Sequence, residues 1–236
     1  MRTITIGIAF ALALSGVTQA QEFAEYVNTR DGFKIAFPGQ PVVRDITWVS
    51  QQNYQLPGRV YSVDKGREHY AVTVVDYSGV EKLAIARSEA CAPGDRPLCR
   101  GTDVSGPGVW KHDVREAVLF TTLKFLQRPN TTVSDLTWSQ HDLVEGNELQ
   151  LTNNADGSRT YAYIAFHEMK LYVVEATVPK GWPPATLFQV SMGWVDKAGR
   201  GIRYRDMYIG PSHSLREFPV PAATGAPAPP VSTAGR

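Results

Sequence analysis

The sequence predicts an α+β domain built on a mainly antiparallel sheet covered by helices. Three observations carry this reading. Extended runs follow one another through short turn segments, first over residues 33–77 and again over 133–178. Two helical patterns are grouped between those runs instead of alternating with them. No Gly/Ser/Pro-rich linker divides the middle of the chain, so residues 21–218 are expected to form one domain.

The elements follow in order. Phe33-Lys34-Ile35-Ala36-Phe37 alternates in the manner of a strand, and Pro38-Gly39-Gln40-Pro41 stops it with turn chemistry. Val42–Val49 and Arg59–Val63 read as the next two strands. Glu68–Tyr77 is apolar on both faces, which predicts a central strand covered on both sides. A helix is expected near Val80–Ala90 and a longer one over Val109–Leu126. In the longer helix Trp110, Val114, Ala117, Val118, Thr121 and Phe125 recur at three- and four-residue spacing, the period of a core-facing stripe.

The second half returns to strands at Val133–Val144, Asn147–Thr152, Arg159–Phe166 and Leu171–Val178. Asn153-Asn154-Ala155-Asp156-Gly157 and Glu168-Met169-Lys170 supply turns. Trp182-Pro183-Pro184 opens a helix expected to run to Val195, because proline is tolerated in a first turn. A last strand, Ile202–Tyr208, closes the domain. Residues 219–236 hold five Pro, five Ala and one charge, too little to build a core, and are expected to be a disordered tail.

The chain opens with Arg2, an apolar run from Ile4 to Val17, and Thr18-Gln19-Ala20. A charged start, an apolar middle and small residues at the exit make a secretory signal peptide over residues 1–20. The run is shorter than the roughly 20 apolar residues that span a bilayer. A periplasmic protein is expected, with a secreted one as the alternative, and no transmembrane segment in the mature chain. Removing Arg2 leaves 23 Lys+Arg against 23 Asp+Glu. A neutral chain lacks the electrostatic footprint of a nucleic-acid binder.

No catalytic, metal or cofactor-binding motif is found. His69, His112, His141, His167 and His213 form no metal-binding spacing, and His141-Asp142 and His167-Glu168 are strand neighbours that face opposite ways. Gly-x-Ser-x-Gly and phosphate-loop patterns are missing. One basic stretch stands out, Arg200 to Tyr208. Alternation there puts Arg203 and Arg205 on one face, a candidate contact for a partner or an anion, while a solvated edge face is the plainer reading.

Gly32-Phe33-Lys34-Ile35-Ala36-Phe37-Pro38-Gly39-Gln40-Pro41 resembles the opening of many small exported bacterial domains. So does Leu171 to Pro179, followed by a helix carrying Phe188, Ser191 and Trp194. Together they resemble the PsbP-like α/β/α sandwich group, and in particular proteobacterial exported proteins of unknown function, over roughly residues 22–210. The resemblance implies an accessory, assembly or binding domain and brings no catalytic residue. The expected function is therefore a non-enzymatic exported accessory or protein-interaction module, with an unknown protein partner in the cell envelope. The alternative is a binding protein for a small apolar or amphipathic ligand held between sheet and helices.

Cys91 and Cys99 are the only cysteines, and the signal peptide sends them to an oxidising compartment, so they are expected to form a disulfide. Seven residues lie between them, including Pro93, Gly94 and Pro97, which let the chain fold back. Closing this loop should contribute about 2.5 kcal/mol. Alkylation of native envelope protein without prior reduction should add no label. Two labelled cysteines would rule the bond out.

Overall fold

The alternating and doubly apolar runs assemble by antiparallel pairing of near neighbours. A computed structural model describes residues 23–90, 109–208 and 217–219. The expected signal peptide (residues 1–20), Cys91, Cys99, His213 and residues 220–236 lie outside the described residues. The strands are β1 (Ala24–Asn28), β2 (Phe33–Phe37), β3 (Val42–Val49), β4 (Gln55–Lys65) and β5 (Glu68–Asp76). Helices α1 (Val80–Glu89) and α2 (Val109–Leu126) follow, then β6 (Thr131–His141), β7 (Val144–Asn153), β8 (Arg159–His167) and β9 (Lys170–Val178). The chain continues through α3 (Thr186–Val190), β10 (Gly193–Trp194), β11 (Ile202–Tyr204) and β12 (Glu217–Pro219).

Seven strands form one antiparallel sheet in the order β3-β4-β5-β9-β8-β7-β6, and β1-β2-β10 and β11-β12 form two small sheets. The doubly apolar β5 lies next to the central strand β9, and the two strands feed both faces. Val72, Val74, Tyr172 and Val174 face one core, while Val75, Leu171 and Val173 face the other. On the second face α1 and α2 lay Val80, Ala84, Val114, Ala117 and Phe125 against Leu149, Leu151 and Ile164.

The expected helical cover is thus supplied by long helices on one face. The other face is covered mainly by the β1-β2-β10 sheet, whose Phe33, Ile35 and Phe37 are fully buried, together with the short α3. The helix expected up to Val195 ends at Val190. The reason is tertiary: Gly193 and Trp194 pair with Lys34 and Phe33 of β2, and the Ser191 hydroxyl accepts the Ala36 N–H at 3.0 Å. Continuing the helix would withdraw Trp194 from the core, where its ring stands edge-on to Tyr172 at 4.8 Å. Similarly, the strand expected over Val133–Val144 ends at His141, and Val144 already opens the next strand. The chain turns at Asp142-Leu143, and Gly146 lies within β7. A Cβ at Gly146 would fall 2.3 Å from the Ile164 carbonyl oxygen, so the pairing with β8 demands glycine there. The last expected strand ends at Tyr204 and pairs with β12, which includes Pro219, the first residue of the segment read as tail.

A buried ionic anchor fastens the small sheet to the large one. Asp31, in the turn between β1 and β2, is fully buried. Its carboxylate accepts both Arg59 Nε (2.6 Å) and Arg59 Nη2, and the Tyr61 hydroxyl at 2.5 Å. Lys170 Nζ lies 3.5 Å away, and the Tyr172 hydroxyl donates to the Asp31 carbonyl at 2.5 Å. Arg59 and Tyr61 are two apart on β4, and Lys170 and Tyr172 two apart on β9, so each pair shares a sheet face by strand period. Burial pushes the Asp31 carboxyl up. The hydrogen bonds from Arg59 and Tyr61 and the charges of Arg59 and Lys170 outweigh that, and Asp31 sits below the ordinary carboxylate range.

Breaking one side of such a pair leaves an uncompensated buried charge, at a cost of about 3–5 kcal/mol. Arg59→Leu should lower the unfolding free energy by roughly that amount in urea titrations. Adding Asp31→Asn should recover part of the loss, because the orphaned charge is gone. Strict additivity of the two single costs would show that the residues do not act as a pair.

Candidate functional site

One end of the large sheet collects four of the six non-glycine residues with positive φ among the described residues. The β6–β7 hairpin turns through Asp142 (φ 48°) and Leu143 (φ 64°), and the β8–β9 hairpin through Glu168 (φ 45°) and Met169 (φ 60°). Two-residue turns with both φ values positive ordinarily use Asn or Gly. Here four side-chain-bearing residues adopt that region, at a cost that surrounding contacts must offset. Tyr208 supplies two of those contacts. Its N–H donates to the Leu143 carbonyl at 2.8 Å, and its hydroxyl accepts the Glu168 N–H at 2.9 Å.

Two histidines end the strands that enter these turns. His167 is buried, hydrogen-bonds the Tyr204 hydroxyl through Nε2, and packs 4.5 Å from Trp194 and 4.9 Å from Tyr208. Burial, reinforced by the charge of Lys170, pushes its imidazole down to about 3. His141 is also buried, stacked 3.8 Å above the Tyr163 ring with an interplanar angle of 6°. Burial lowers it too, against the opposing pull of Glu148, Asp142 and the Met192 backbone. The Trp194 indole N–H donates to the His141 carbonyl at 2.9 Å and ties the two groups together.

Beside His141 lies a depression of about 430 Å³ bordered by Lys34, Ser139, Gln140, Asp142, Glu148 and the segment Val190–Gly193. Glu148 accepts the Ser139 hydroxyl at 2.8 Å and stands 3.2 Å from His141 Nε2. The carboxylate therefore sits between serine and histidine. Nucleophilic catalysis needs the imidazole in that middle position, so this is not the order of a hydrolytic triad. Lys34 is paired with Glu25 at 3.0 Å. What the depression offers is carboxylate acceptors for a small polar molecule that carries hydrogen-bond donors.

The strand that supplies Ser139, Gln140 and His141 is also an outer edge of the large sheet. Val133, Leu136 and Trp138 stand opposite Leu151, Leu149 and Asn147 of β7. Leu149 and Leu151 belong to the helix-side core, and the Asn147 amide donates to Thr122 of α2 at 3.0 Å. The three β6 residues therefore form an apolar row on the helix-covered face. They lie at the sheet margin, and Trp138 keeps 60% of its surface exposed and Leu136 48%.

The sequence-derived candidates are placed as follows. Arg203 lies on β11 opposite Phe218 and Arg205 just beyond the strand. Both are exposed, while Ile202 and Tyr204 turn inward. Neither arginine borders the depression. Cys91 and Cys99 fall outside the described residues. Among the described residues, no cluster of three or more His, Cys, Asp or Glu has metal-holding geometry, and no helix is long and apolar enough to cross a membrane.

Sequence reasoning missed Asp31 and Asp113. Asp113 is fully buried on α2 and accepts the Gln52 N–H at 3.1 Å, and burial raises its carboxyl. Its signal was legible: it falls three residues after Trp110 and four before Ala117, on the apolar stripe. The buried histidines carried no comparable mark, because their surroundings come from five separate segments.

The chain matches no known protein-family model, and no curated protein matches it. Among solved structures it is similar to the solution structure of cyanobacterial PsbP (CyanoP) from Synechocystis sp. PCC 6803. Identity is 15% and the TM-score 0.36, over 72% of this chain and 87% of that one. A likeness of that degree identifies neither a family nor a role for this chain.

The histidine environments set a pH dependence. With the folded imidazole of His167 near 3 and an unfolded value near 6.5, the unfolded chain binds a proton that the folded one refuses. Stability is complete above about pH 6.5 and falls as pH drops below it, by roughly 1.4 kcal/mol per pH unit for one such proton. Urea unfolding at pH 7, 6 and 5 should show this slope, and His167→Gln should reduce it by about one proton. An unchanged slope in the variant would place the effect elsewhere.

Proposed function

We propose that this chain is a non-enzymatic exported accessory or protein-interaction module of the cell envelope, within the PsbP-like sandwich group that its strand-turn motifs resemble. The observation that carries the reading is the apolar row Val133, Leu136 and Trp138 on a strand that is an unpaired edge among the described residues. Edge backbone groups together with a one-sided row of apolar side chains are what strand-addition partners use, the hydrogen bonds giving affinity and the side chains specificity. The neutral charge and the carboxylate-centred order at His141 fit the same reading.

The alternative, a site for a small apolar or amphipathic ligand, finds less support. The aromatic residues that would line it pack on one another, as in Phe37–Phe188 at 5.1 Å and Tyr70–Phe188 at 5.2 Å. The depression beside His141 is bordered by Lys34, Asp142 and Glu148 and suits a polar molecule better.

A photoreactive phenylalanine analogue placed at Trp138 should give a discrete cross-linked species when irradiated in the native envelope. The same analogue at Arg67, exposed on the β4–β5 turn, should give none. Equal labelling at both positions, or none at either, would remove the support for an interaction surface on β6.

A further inference from the structure

Among the described residues the seven-stranded sheet has two open edges, β3 and β6, and they differ in how they are protected. β3 carries Arg44 and Asp45 in mid-strand. β6 has neither Lys, Arg nor Pro among its 11 residues, and its one carboxylate is Asp135. Charged side chains and proline are the usual means of keeping an edge single. The irregularity in β6 between Val133 and Asp135 twists only its first part. The stretch from Asp135 to Ser139 remains regular, exposed on its outer side, and paired on its inner side with Gln150 through Gly146.

This stretch is its own complement. We propose that β6 pairs antiparallel with β6 of a second copy of the chain about a two-fold axis through Thr137, so that two seven-stranded sheets become one continuous sheet. The proposal rests on the interaction reading above and names its partner. With Thr137 on the axis, Leu136 stands opposite Trp138 of the second copy and Trp138 opposite its Leu136. Both apolar pairs fall on the helix-covered face, because residues 136 and 138 share a face and an axis normal to the sheet preserves it. Asp135 stands opposite Ser139, a carboxylate facing a hydroxyl.

Neighbouring registers are poorer. An axis on Leu136 sets Trp138 against Ser134, within the irregular part of the strand, and an axis on Trp138 sets Leu136 against Gln140. In the favoured register the two Asp135 carboxylates are four residues apart along the ladder. At about 3.4 Å per residue that is about 14 Å, beyond the screening length of about 8 Å at physiological salt. Aromatic–aliphatic cross-strand pairs of this kind are a recognised source of sheet stability. The isologous contact closes after two copies and leaves β3 as the outer edge of the dimer.

The test uses the full mature protein. Sedimentation over a micromolar-to-submillimolar series should show a dimer, and Leu136→Lys should weaken it by about tenfold or more. Thr137→Cys should oxidise to a covalent dimer, because residues directly opposite in an antiparallel pair have Cα atoms about 4.5–5.5 Å apart, within disulfide reach. Peptide mapping should locate that link between the two positions 137, separate from any bond through Cys91 or Cys99. Val43→Cys on β3, carried as the control edge, should yield no such dimer. Wild-type protein that stays monomeric throughout, with no 137–137 link in the variant, overturns the self-pairing. A photo-adduct at position 138 whose mass differs from twice the chain also overturns it, while leaving the interaction reading standing.

Discussion

A single carboxylate without access to water governs how this molecule closes. Asp31 reaches the face of the large sheet from the β1–β2 turn and is met there by Arg59, Tyr61 and Lys170. A buried charge is tolerated only where partners satisfy it, and those partners sit at defined positions on β4 and β9. The anchor therefore admits one placement of the small sheet. Once Asp31 is seated, Gly32 can accept the Val195 N–H, β2 can receive Gly193 and Trp194, and the aromatic side chains of β2 meet Tyr61, Tyr172 and Phe188.

The strained end of the sheet depends on that placement. Trp194 reaches the core because β10 pairs with β2, and from there it packs on His167 and hydrogen-bonds the strand end at His141. Tyr208 holds the two turns from the chain that follows β11. The left-handed residues at 142, 143, 168 and 169 are thus fixed from several directions at once, which is the circumstance in which such conformations persist. The depression beside His141 is a by-product of the same arrangement, since one wall comes from β6 and β7 and the other from the segment between α3 and β10.

β6 connects this interior to the outside. Its last residues enter the aromatic cluster, and its middle presents the apolar row at the sheet margin. A partner strand added there would extend the hydrogen-bonded ladder next to the strand that holds His141. Occupation of the edge and the environment of the depression are therefore physically linked through one short piece of backbone.

Local pattern determined much of this protein. Alternation located β2, double-faced apolarity located β5 beside the centre of the sheet, and three-to-four spacing located α2 with Val114, Ala117, Thr121 and Phe125 inward. Inward Ile202 and Tyr204 with outward Arg203 and Arg205 were legible for the same reason. Periodicity reports which face of an element avoids water, and that preference lies within a few consecutive residues. Other features only the tertiary structure decided: the shortening of α3, the move of the β6–β7 turn to Asp142-Leu143, the seating of Asp31, and the burial of His141 and His167. Each depends on what lies opposite, a β2 strand for Trp194, a β8 carbonyl against Gly146, an arginine 28 residues away for Asp31. Those partners come from distant parts of the chain, and their meeting is settled by three-dimensional packing, which no local pattern of residues encodes.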